Sequence, residues 1–246
     1  MTTFTLLDKK VHLHNKEPYP SEDAIWLASA VKADEGDHLL EAGVGNGAAS
    51  LCLLQRINNI SITGLDCQED LTKQANNNAK LNNIPPEKFT AIEYDFQDHK
   101  PEKAYNHVFA NPPFHRRDHG FHTDDATRML AYGANQEEII SWVKSMINII
   151  EEGGSLTLIH HKRNESTILH LLAAFNIEVI YLCSHAKRPS KRLILRCVKK
   201  EESTPSIQRF FINTHDKDIR QHVLYDGKSL WQYCEKVTRR TDNILF

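Results

Sequence analysis

The sequence predicts an α/β fold in which a mostly parallel sheet carries helices on both faces. Short apolar segments of strand length alternate with segments whose apolar residues recur at helical spacing. Apolar residues make up 40% of the 246 residues and charged residues 25%, which is ordinary globular usage. We therefore expect one domain over residues 1–246, with a core at about 20–200 and a short C-terminal appendage at 201–246.

The first half of this pattern contains a βαβ unit. Residues 21–31 predict a helix capped by Ser21, and residues 38–41 predict a strand that leads into a glycine-rich loop. The next segments predict, in order, a helix, a strand, a helix and two strands at 48–57, 60–66, 69–81, 89–95 and 105–110. The last of these strands ends at an Asn-Pro-Pro sequence, because proline cannot donate to a sheet ladder.

The second half continues the alternation. It predicts a helix that ends at a Gly-Gly pair, then a strand, a helix and two strands, at 136–152, 156–160, 166–175, 177–182 and 192–198. Only a polar loop joins the last two strands, and a parallel pair would need a longer crossover. We therefore expect a seven-stranded sheet with an antiparallel last strand. The appendage has one apolar island at 210–212 and a predicted short helix at 228–237.

Composition gives no sign of a globally basic nucleic-acid binder, a disulfide framework, a metal site or a membrane protein. The 30 basic and 32 acidic side chains give a net charge of -2, so a nucleic acid would have to bind a local basic patch. The five cysteines are scattered without CxxC spacing, which is typical of a reducing, cytoplasmic protein. The 14 histidines show no ligand spacing, so we expect no metal. Neither a signal peptide nor a membrane span is predicted.

The loop EAGVGNG, which begins at Glu41, lies between a predicted strand and a predicted helix. Its glycines allow a sharp turn and close approach to a ligand beside free helix N–H groups. Gly43, Gly45 and Ala48 also satisfy the dinucleotide pattern G-x-G-x-x-G/A. Asp66 stands about 20 residues on, where that pattern has a ribose-binding acid, so NAD is an alternative. Glu41 favours a cationic amino-acid or sulfonium ligand, because a carboxylate there repels a pyrophosphate. A purely structural turn is the other alternative.

A second motif, Asn111-Pro112-Pro113-Phe114, follows the fourth strand, at the edge where open α/β sheets bind ligands. The exocyclic amine of adenine is a poor nucleophile because its lone pair is delocalised into the ring. If the Asn111 side-chain oxygen and the Pro112 carbonyl each accept one amine hydrogen, the nitrogen becomes pyramidal and its lone pair points at an incoming methyl group. Phe114 offers a face for a flipped-out base. The alternative is an Asn-Pro turn that closes a strand.

Together the two motifs resemble those of class I S-adenosylmethionine-dependent methyltransferases, and NPPF resembles the [ND]PP[YF] motif of amino-methylating members. The segments at 19–31 and 123–133, the basic loop before the last strand and the C-terminal tail look like the bacterial valine-tRNA adenine-N6 methyltransferases of the "small" methyltransferase domain family. The resemblance covers nearly the whole chain. It implies a Rossmann-like fold, S-adenosyl-L-methionine as cofactor, and methyl transfer to N6 of adenine in tRNA.

The resemblance also implies residue roles. The acid and glycines of the loop would hold the methionine part of the cofactor: Glu41, Gly43, Gly45 and Gly47. Asp66 would hold the ribose hydroxyls, and Asp95 the adenine amino group. Catalysis would fall to the second motif, whose asparagine would also contact the cofactor: Asn111, Pro112, Pro113 and Phe114. The family more often has Asp at position 41 and Tyr at position 114, but this chain keeps the charge and the aromatic face.

Basic residues follow NPPF and the fifth strand and flank the last strand, where they would bind RNA phosphates. They are Arg116, Arg117, Lys162, Arg163, Lys187, Arg188, Lys191 and Arg192. For each group the alternative is an ordinary solvated surface. Release-factor glutamine methyltransferases share NPP[YF], because a side-chain amide has the same planar NH2 group. A protein-glutamine N5 methyltransferase and a non-catalytic RNA-binding relative therefore remain alternatives. The basic residues and the lack of an N-terminal bundle domain favour RNA.

Overall fold

The structure is a computed structural model that describes residues 3–112, 136–184, 190–200 and 204–234. Its strands are β1 (Thr3–Leu6), β2 (Val11–His14), β3 (His38–Ala42), β4 (Ser61–Asp66), β5 (Phe89–Glu93), β6 (Tyr105–Ala110), β7 (Ile150–His161), β8 (Asn176–Cys183), β9 (Arg192–Val198) and β10 (Ile207–Asn213). Its α-helices are α1 (Glu22–Ala30), α2 (Ala48–Arg56), α3 (Glu69–Leu81), α4 (Gln136–Asn148), α5 (Glu165–Leu171) and α6 (Lys217–Arg220). Short 3-10 turns occupy Phe96–Asp98 and Lys162–Asn164, a π-helical turn occupies Gln221–Tyr225, and residues 231–234 are helical.

The main sheet has the strand order β10-β8-β9-β7-β6-β3-β4-β5. All neighbouring pairs are parallel except β7 with β9 and β8 with β9, so β9 is the predicted antiparallel strand. From β3 the chain runs outward through β4 and β5, then returns to place β6 on the other side of β3. The strand order reverses at this point, and such a reversal opens a crevice at the carboxyl ends of β3 and β6.

Two hydrophobic clusters cover the two faces of the sheet. The first packs α1, α2 and α3, the β1–β2 hairpin and the C-terminal segment against one face, and the second packs α4 and α5 against the other. Neighbouring strand residues alternate between them: Leu39 belongs to the first cluster and Leu40 to the second. The three-layer α/β fold predicted from the sequence is confirmed.

The sheet has eight strands in the described residues, not the seven predicted, because β10 pairs in parallel with β8. Its residues Phe210 and Ile212 are buried, while Phe211 between them is exposed. The segment beyond β10 packs on α1, where the Trp231 indole N–H donates to the Ala30 carbonyl at 2.7 Å. The short helix predicted at 228–237 is observed only at 231–234, because residues 228–230 are not helical and residues 235–237 lie outside the described part of the chain.

Several predicted boundaries were wrong. α4 ends at Asn148, and the Gly153-Gly154 pair lies inside β7 instead of ending a helix. A Cβ on Gly154 would lie 2.3 Å from the Asn106 carbonyl oxygen, so glycine is required there by the close approach of β6. Ser21 does precede α1, but its hydroxyl makes no capping hydrogen bond. α5 ends at Leu171, and the β1–β2 hairpin was not predicted at all.

Three amides at four-residue intervals, two on α3 and one at its C-cap, attach the N-terminal segment to the core. They are Gln74, Asn78 and Asn82. The Asn82 side chain accepts from the His12 N–H and donates to the His12 carbonyl, as a neighbouring strand would. Asn78 is fully buried, accepts from the His14 N–H at 2.8 Å and donates to the Asn46 carbonyl at 2.9 Å. Asn78 therefore connects the hairpin to the glycine-rich loop that contains Asn46.

We expect Asn78→Ala to lower the free energy of unfolding by about 1–3 kcal/mol, because it leaves polar groups without partners in a buried place. Urea denaturation measures this. Asn77 is the matched control, since it is exposed on the same helix, and Asn77→Ala should be neutral or stabilising by a few tenths of a kcal/mol. Equal effects of the two substitutions would contradict the structural role of Asn78.

Candidate active site

The candidate site lies where β3 and β6 end side by side. Ala42 of β3 pairs with Ala110 of β6, so the glycine-rich loop and Asn111 leave neighbouring strands at the same edge. Neighbouring strands are about 4.8 Å apart. Two motifs nearly 70 residues apart in sequence are thereby brought next to each other at the crevice.

The glycine-rich loop has a backbone that favours glycine. Gly43, Gly45 and Gly47 have φ angles of 71°, 53° and 81°, in the left-handed region. A Cβ on Gly43 would lie 3.1 Å from the Trp142 ring, and one on Gly47 3.2 Å from Ala75. A Cβ on Gly45 would meet no atom within 4 Å, so there is open space beside the middle of the loop. The loop therefore leaves room for a ligand close to its backbone.

Asp66 ends β4 and holds this loop from the side. Its Oδ2 accepts from the Gly45 N–H at 2.9 Å, and its Oδ1 accepts from the Gln68 N–H at 3.1 Å. Burial raises the pKa of this carboxyl, against the lowering effect of the two N–H groups. Each carboxylate oxygen can accept more than one hydrogen bond. The geometry is thus compatible with further hydroxyl donors from a bound ribose.

Glu41 is buried beneath the loop, with only 3% of its surface exposed. Its Oε2 accepts from the Ser50 N–H at 3.1 Å and also from the Ser50 hydroxyl, which ties it to the first turn of α2. Burial raises the pKa of Glu41 to about 8, although the Ser50 hydrogen bonds oppose the rise. The carboxyl is therefore mostly neutral at pH 7, and a cationic group placed beside it would lower its pKa again.

The raised pKa of Glu41 predicts a pH-dependent stability. The ordinary pKa is 4.5 and the folded-state value about 8, so the folded state binds the proton more tightly. The resulting stabilisation is complete below about pH 4.5 and is lost as the pH rises through about 8. We expect Glu41→Gln to reduce this decline, because the amide oxygen can still accept from Ser50 without ionising. Urea denaturation at about pH 5 and about pH 8.5 measures the slope.

The control for this prediction is Glu93→Gln, which changes an exposed carboxyl at the end of β5. It should leave the pH slope of the parent protein unchanged. If Glu41→Gln showed the same slope as the parent, the titration of Glu41 would not be the cause of the decline.

Asn111 follows β6, and its amide oxygen is the most informative atom of the site. Among the described residues, Oδ1 of Asn111 is a buried side-chain atom that accepts no hydrogen bond. Leaving such an acceptor unpaired costs about 1–3 kcal/mol, so a bound molecule that donates to it would recover that energy. Pro112 beside it is buried. Pro113 and Phe114 lie outside the described residues.

Two aromatic residues at this edge were missed by the sequence analysis. Trp142 of α4 lies against Gly43, and its ring packs edge-to-face on Phe96 with centroids 4.3 Å apart. Phe96 follows Asp95, which is exposed and accepts from the Gln97 N–H at 3.0 Å. The aromatic pair thus forms a wall between the glycine-rich loop and Asp95. No sequence signal indicated it, because α4 reaches the loop only through the tertiary packing.

The predicted basic residues are found in different settings. Lys162 and Arg163 form the 3-10 turn that follows β7 at the same edge. The Arg192 guanidinium pairs with the buried carboxylate of Asp23, so part of its charge is neutralised within the fold. Lys191 precedes β9 and its backbone carbonyl accepts from the Lys162 N–H at 2.8 Å. The others lie outside the described residues: Arg116, Arg117, Lys187 and Arg188.

Within the described ranges, no group of three or more His, Cys, Asp or Glu side chains is placed to hold a metal ion. None of the helices that the structure describes has both the length and the apolarity needed to span a bilayer.

The model of the methyltransferase small domain family matches residues 23–176, which is more than half of the chain. The chain belongs to the methyltransferase small domain family. It is an S-adenosyl-L-methionine-dependent methyltransferase. The matched residues include both motifs at the crevice, and the orphaned Asn111 oxygen and the open space at Gly45 fit a site that receives a cofactor and an acceptor.

Five relatives of this methyltransferase carry the name tRNA1(Val) (adenine(37)-N6)-methyltransferase. The protein from Glaesserella parasuis is 26% identical over 179 residues, covering 70% of this chain and 73% of the relative. The protein from Flavobacterium johnsoniae is 26% identical over 189 residues, covering 75% and 77%. Among solved structures, a predicted O-methyltransferase from Agrobacterium tumefaciens superposes with a TM-score of 0.64 at 18% identity, covering 84% of this chain and 96% of that one. That likeness confirms the Rossmann-like fold.

Proposed function

We propose that this methyltransferase transfers a methyl group to the N6 amino group of adenine in tRNA. The observation that carries the proposal is the buried Asn111 Oδ1 at the carboxyl end of β6, which has no hydrogen-bond partner among the described residues. An acceptor in that place suits a ligand that brings N–H hydrogens, as an exocyclic amine does. Relatives that are 20–28% identical and named as tRNA adenine-N6 methyltransferases support this substrate class.

The residues of the crevice divide into a cofactor part and an acceptor part. In this proposal Gly43, Gly45 and Gly47 leave room for the methionine part of the cofactor, with Glu41 beneath them. Asp66 accepts from the ribose hydroxyls. Asp95 and the aromatic wall of Phe96 and Trp142 border the adenine end. In the same proposal the acceptor part, which receives the adenine, consists of Asn111, Pro112, Pro113 and Phe114.

The proposed mechanism assigns positioning and hydrogen-bond acceptance to the protein. When bound, S-adenosyl-L-methionine would supply an electrophilic methyl group on a sulfonium sulfur, and the S–CH3 bond would break with its electron pair left on the thioether sulfur of S-adenosylhomocysteine. Asn111 Oδ1 and the Pro112 carbonyl accept the two amine hydrogens, which localises the nitrogen lone pair and directs it toward the methyl carbon. Neither oxygen is basic enough to keep a proton, so the proton that the methylated amine loses passes to water.

We expect Asn111→Ala to lower kcat by about 10² to 10³, by analogy with the loss of one oxyanion-hole donor. The affinity for the cofactor should change little, and the affinity for tRNA should fall by less than kcat does, because the hydrogen bond strengthens further as the nitrogen becomes pyramidal. Single-turnover methylation of tRNA with radiolabelled cofactor measures the rate. Asn111→Asp keeps an acceptor oxygen and should retain more activity than the alanine variant. If both variants were equally inactive while binding cofactor normally, acceptor geometry would not explain Asn111.

The cofactor part predicts that Asp66→Ala weakens the binding of S-adenosylhomocysteine by roughly 10-fold or more, because two hydroxyls lose a charged acceptor worth about 1.5–3 kcal/mol per bond. Isothermal calorimetry measures the affinity. The matched control is Asp70→Ala, which removes an exposed carboxylate four residues on in the first turn of α3. It should bind S-adenosylhomocysteine like the parent protein. An unchanged affinity of Asp66→Ala would remove Asp66 from the cofactor site.

The rival acceptor is the glutamine side chain of a protein, whose planar amide would use Asn111 and Pro112 in the same way. Offering a transcribed tRNA and a release factor to the enzyme in parallel separates the two substrates. Label transferred to tRNA, and recovered as N6-methyladenosine after digestion, is the expected result. Label transferred only to the protein substrate would overturn the proposed function.

A further inference from the structure

A cluster of aromatic and cationic side chains lies near the carboxyl ends of the parallel strands, at the same edge of the sheet as the crevice but some distance from it. Tyr181 near the end of β8 and Phe211 near the end of β10 are register partners, and their rings stack with centroids 4.8 Å apart and planes 16° apart. Lys162 reaches the Tyr181 ring with its Nζ 5.2 Å from the centroid. Phe211 is 59% exposed, an unusual state for so large an apolar ring.

The cluster is held in place by polar contacts around Tyr181. The Tyr181 hydroxyl donates to the Glu165 carboxylate and is hydrogen-bonded by Arg209, which precedes Phe211 by two residues on the same face of β10. The tyrosine ring is thus fixed from its tip, and it supports one face of Phe211. Among the strands of the described residues β10 is at the edge of the sheet, so none of them lies beyond Phe211. The arrangement is a preorganised aromatic surface, not a loose side chain.

The position of this cluster relates it to the active site. The strands β6, β7, β8 and β10 run in the same direction, so their carboxyl ends share one edge of the sheet. Four strand spacings separate β6 from β10, which is about 19 Å. The 3-10 turn that contains Lys162 lies between the two ends. A macromolecule that placed one group at Asn111 would therefore extend over Lys162 and Phe211.

We propose that Tyr181, Phe211, Lys162 and Arg209 form an RNA-docking platform on which an unpaired nucleotide of the tRNA, away from the methylated base, stacks on Phe211. This inference rests on the proposed tRNA substrate. The chemistry fits an RNA because the ring offers a π-face to a base. The exposed cations of Lys162 and Arg209 lie beside the Tyr181 ring, where they are placed to contact phosphates. A protein partner would also cover the exposed ring. It would match the cations of Lys162 and Arg209 less generally than an RNA does, because every nucleotide of an RNA brings a phosphate.

The platform is tested by the affinity of the full-length protein for a transcribed tRNA, measured by fluorescence anisotropy. We expect Phe211→Ala to raise the Kd by roughly 5- to 100-fold, the effect of losing one base–aromatic stack. Phe211→Tyr keeps the ring and should bind like the parent protein. Arg209→Ala should lower the slope of the logarithm of tRNA affinity against the logarithm of salt concentration by about 1, because one phosphate contact is lost. The affinity for S-adenosylhomocysteine should be unchanged in all three variants.

Phe4→Ala is the matched control, because Phe4 is also an exposed phenylalanine of a sheet edge, but belongs to the β1–β2 hairpin beside α3. It should leave the Kd for tRNA unchanged. If Phe211→Ala bound tRNA as well as the parent protein does, the RNA-docking platform would be wrong and the proposed function would still stand. A parent protein that methylates only a protein substrate would overturn both.

Light scattering tests whether a second copy of the chain, instead of an RNA, covers the same surface. If the parent protein were a dimer and Phe211→Ala a monomer, the exposed ring would be an interface between two copies of the chain, and the RNA platform would be wrong. An oligomeric state that Phe211→Ala leaves unchanged, together with the loss of tRNA affinity, is the result expected for the platform.

Discussion

The parallel pairing of β3 with β6 is the constraint on which the rest of the site depends. These strands are neighbours only because the chain reverses its direction of travel across the sheet after β5. Their register places Ala42 opposite Ala110, so the residues that follow each strand meet at one crevice. Asp66, one strand further out, then ties the glycine-rich loop through the Gly45 N–H. A change of register would separate the cofactor part from the acceptor part of the site.

The sequence predicted the elements that create this constraint, because each has a strong local signal. The alternation of strands and helices from α1 to β9 follows from apolar periodicity, and the antiparallel β9 follows from the short connection before it. The positions of Glu41 and Asp66 near the ends of β3 and β4, and of Gly45 in the loop after β3, also follow from local patterns. What was missed depends on distant contacts. Gly154 resembled a helix stop because its true neighbour, the Asn106 carbonyl, is far away in sequence.

The same distinction explains the missed strand and the missed site residues. β10 carries only two buried side chains, Phe210 and Ile212, and the residue between them is the exposed Phe211. So short a pattern does not by itself predict a strand, and β10 forms because the segment pairs with β8. Trp142 is half-buried on an amphipathic helix, and the position by itself indicates ordinary core packing. Its contact with the glycine-rich loop is a property of how α4 crosses the sheet.

The buried polar groups of α3 have hydrogen-bond partners, whereas those at the crevice are less well satisfied. On α3, buried Asn78 has partners for both its oxygen and its nitrogen, and the N-terminal hairpin is stabilised by them. At the crevice, the Asn111 oxygen is buried without a partner in the part of the chain that the structure describes, and Glu41 is held in a place where burial favours its neutral form. Both arrangements cost stability in the absence of ligand. A ligand with amine hydrogens would pair with Asn111, and a cationic group would favour the ionised form of Glu41, so binding recovers what the fold gives up there. The crevice is therefore preorganised for ligands of this chemistry at the expense of its own stability.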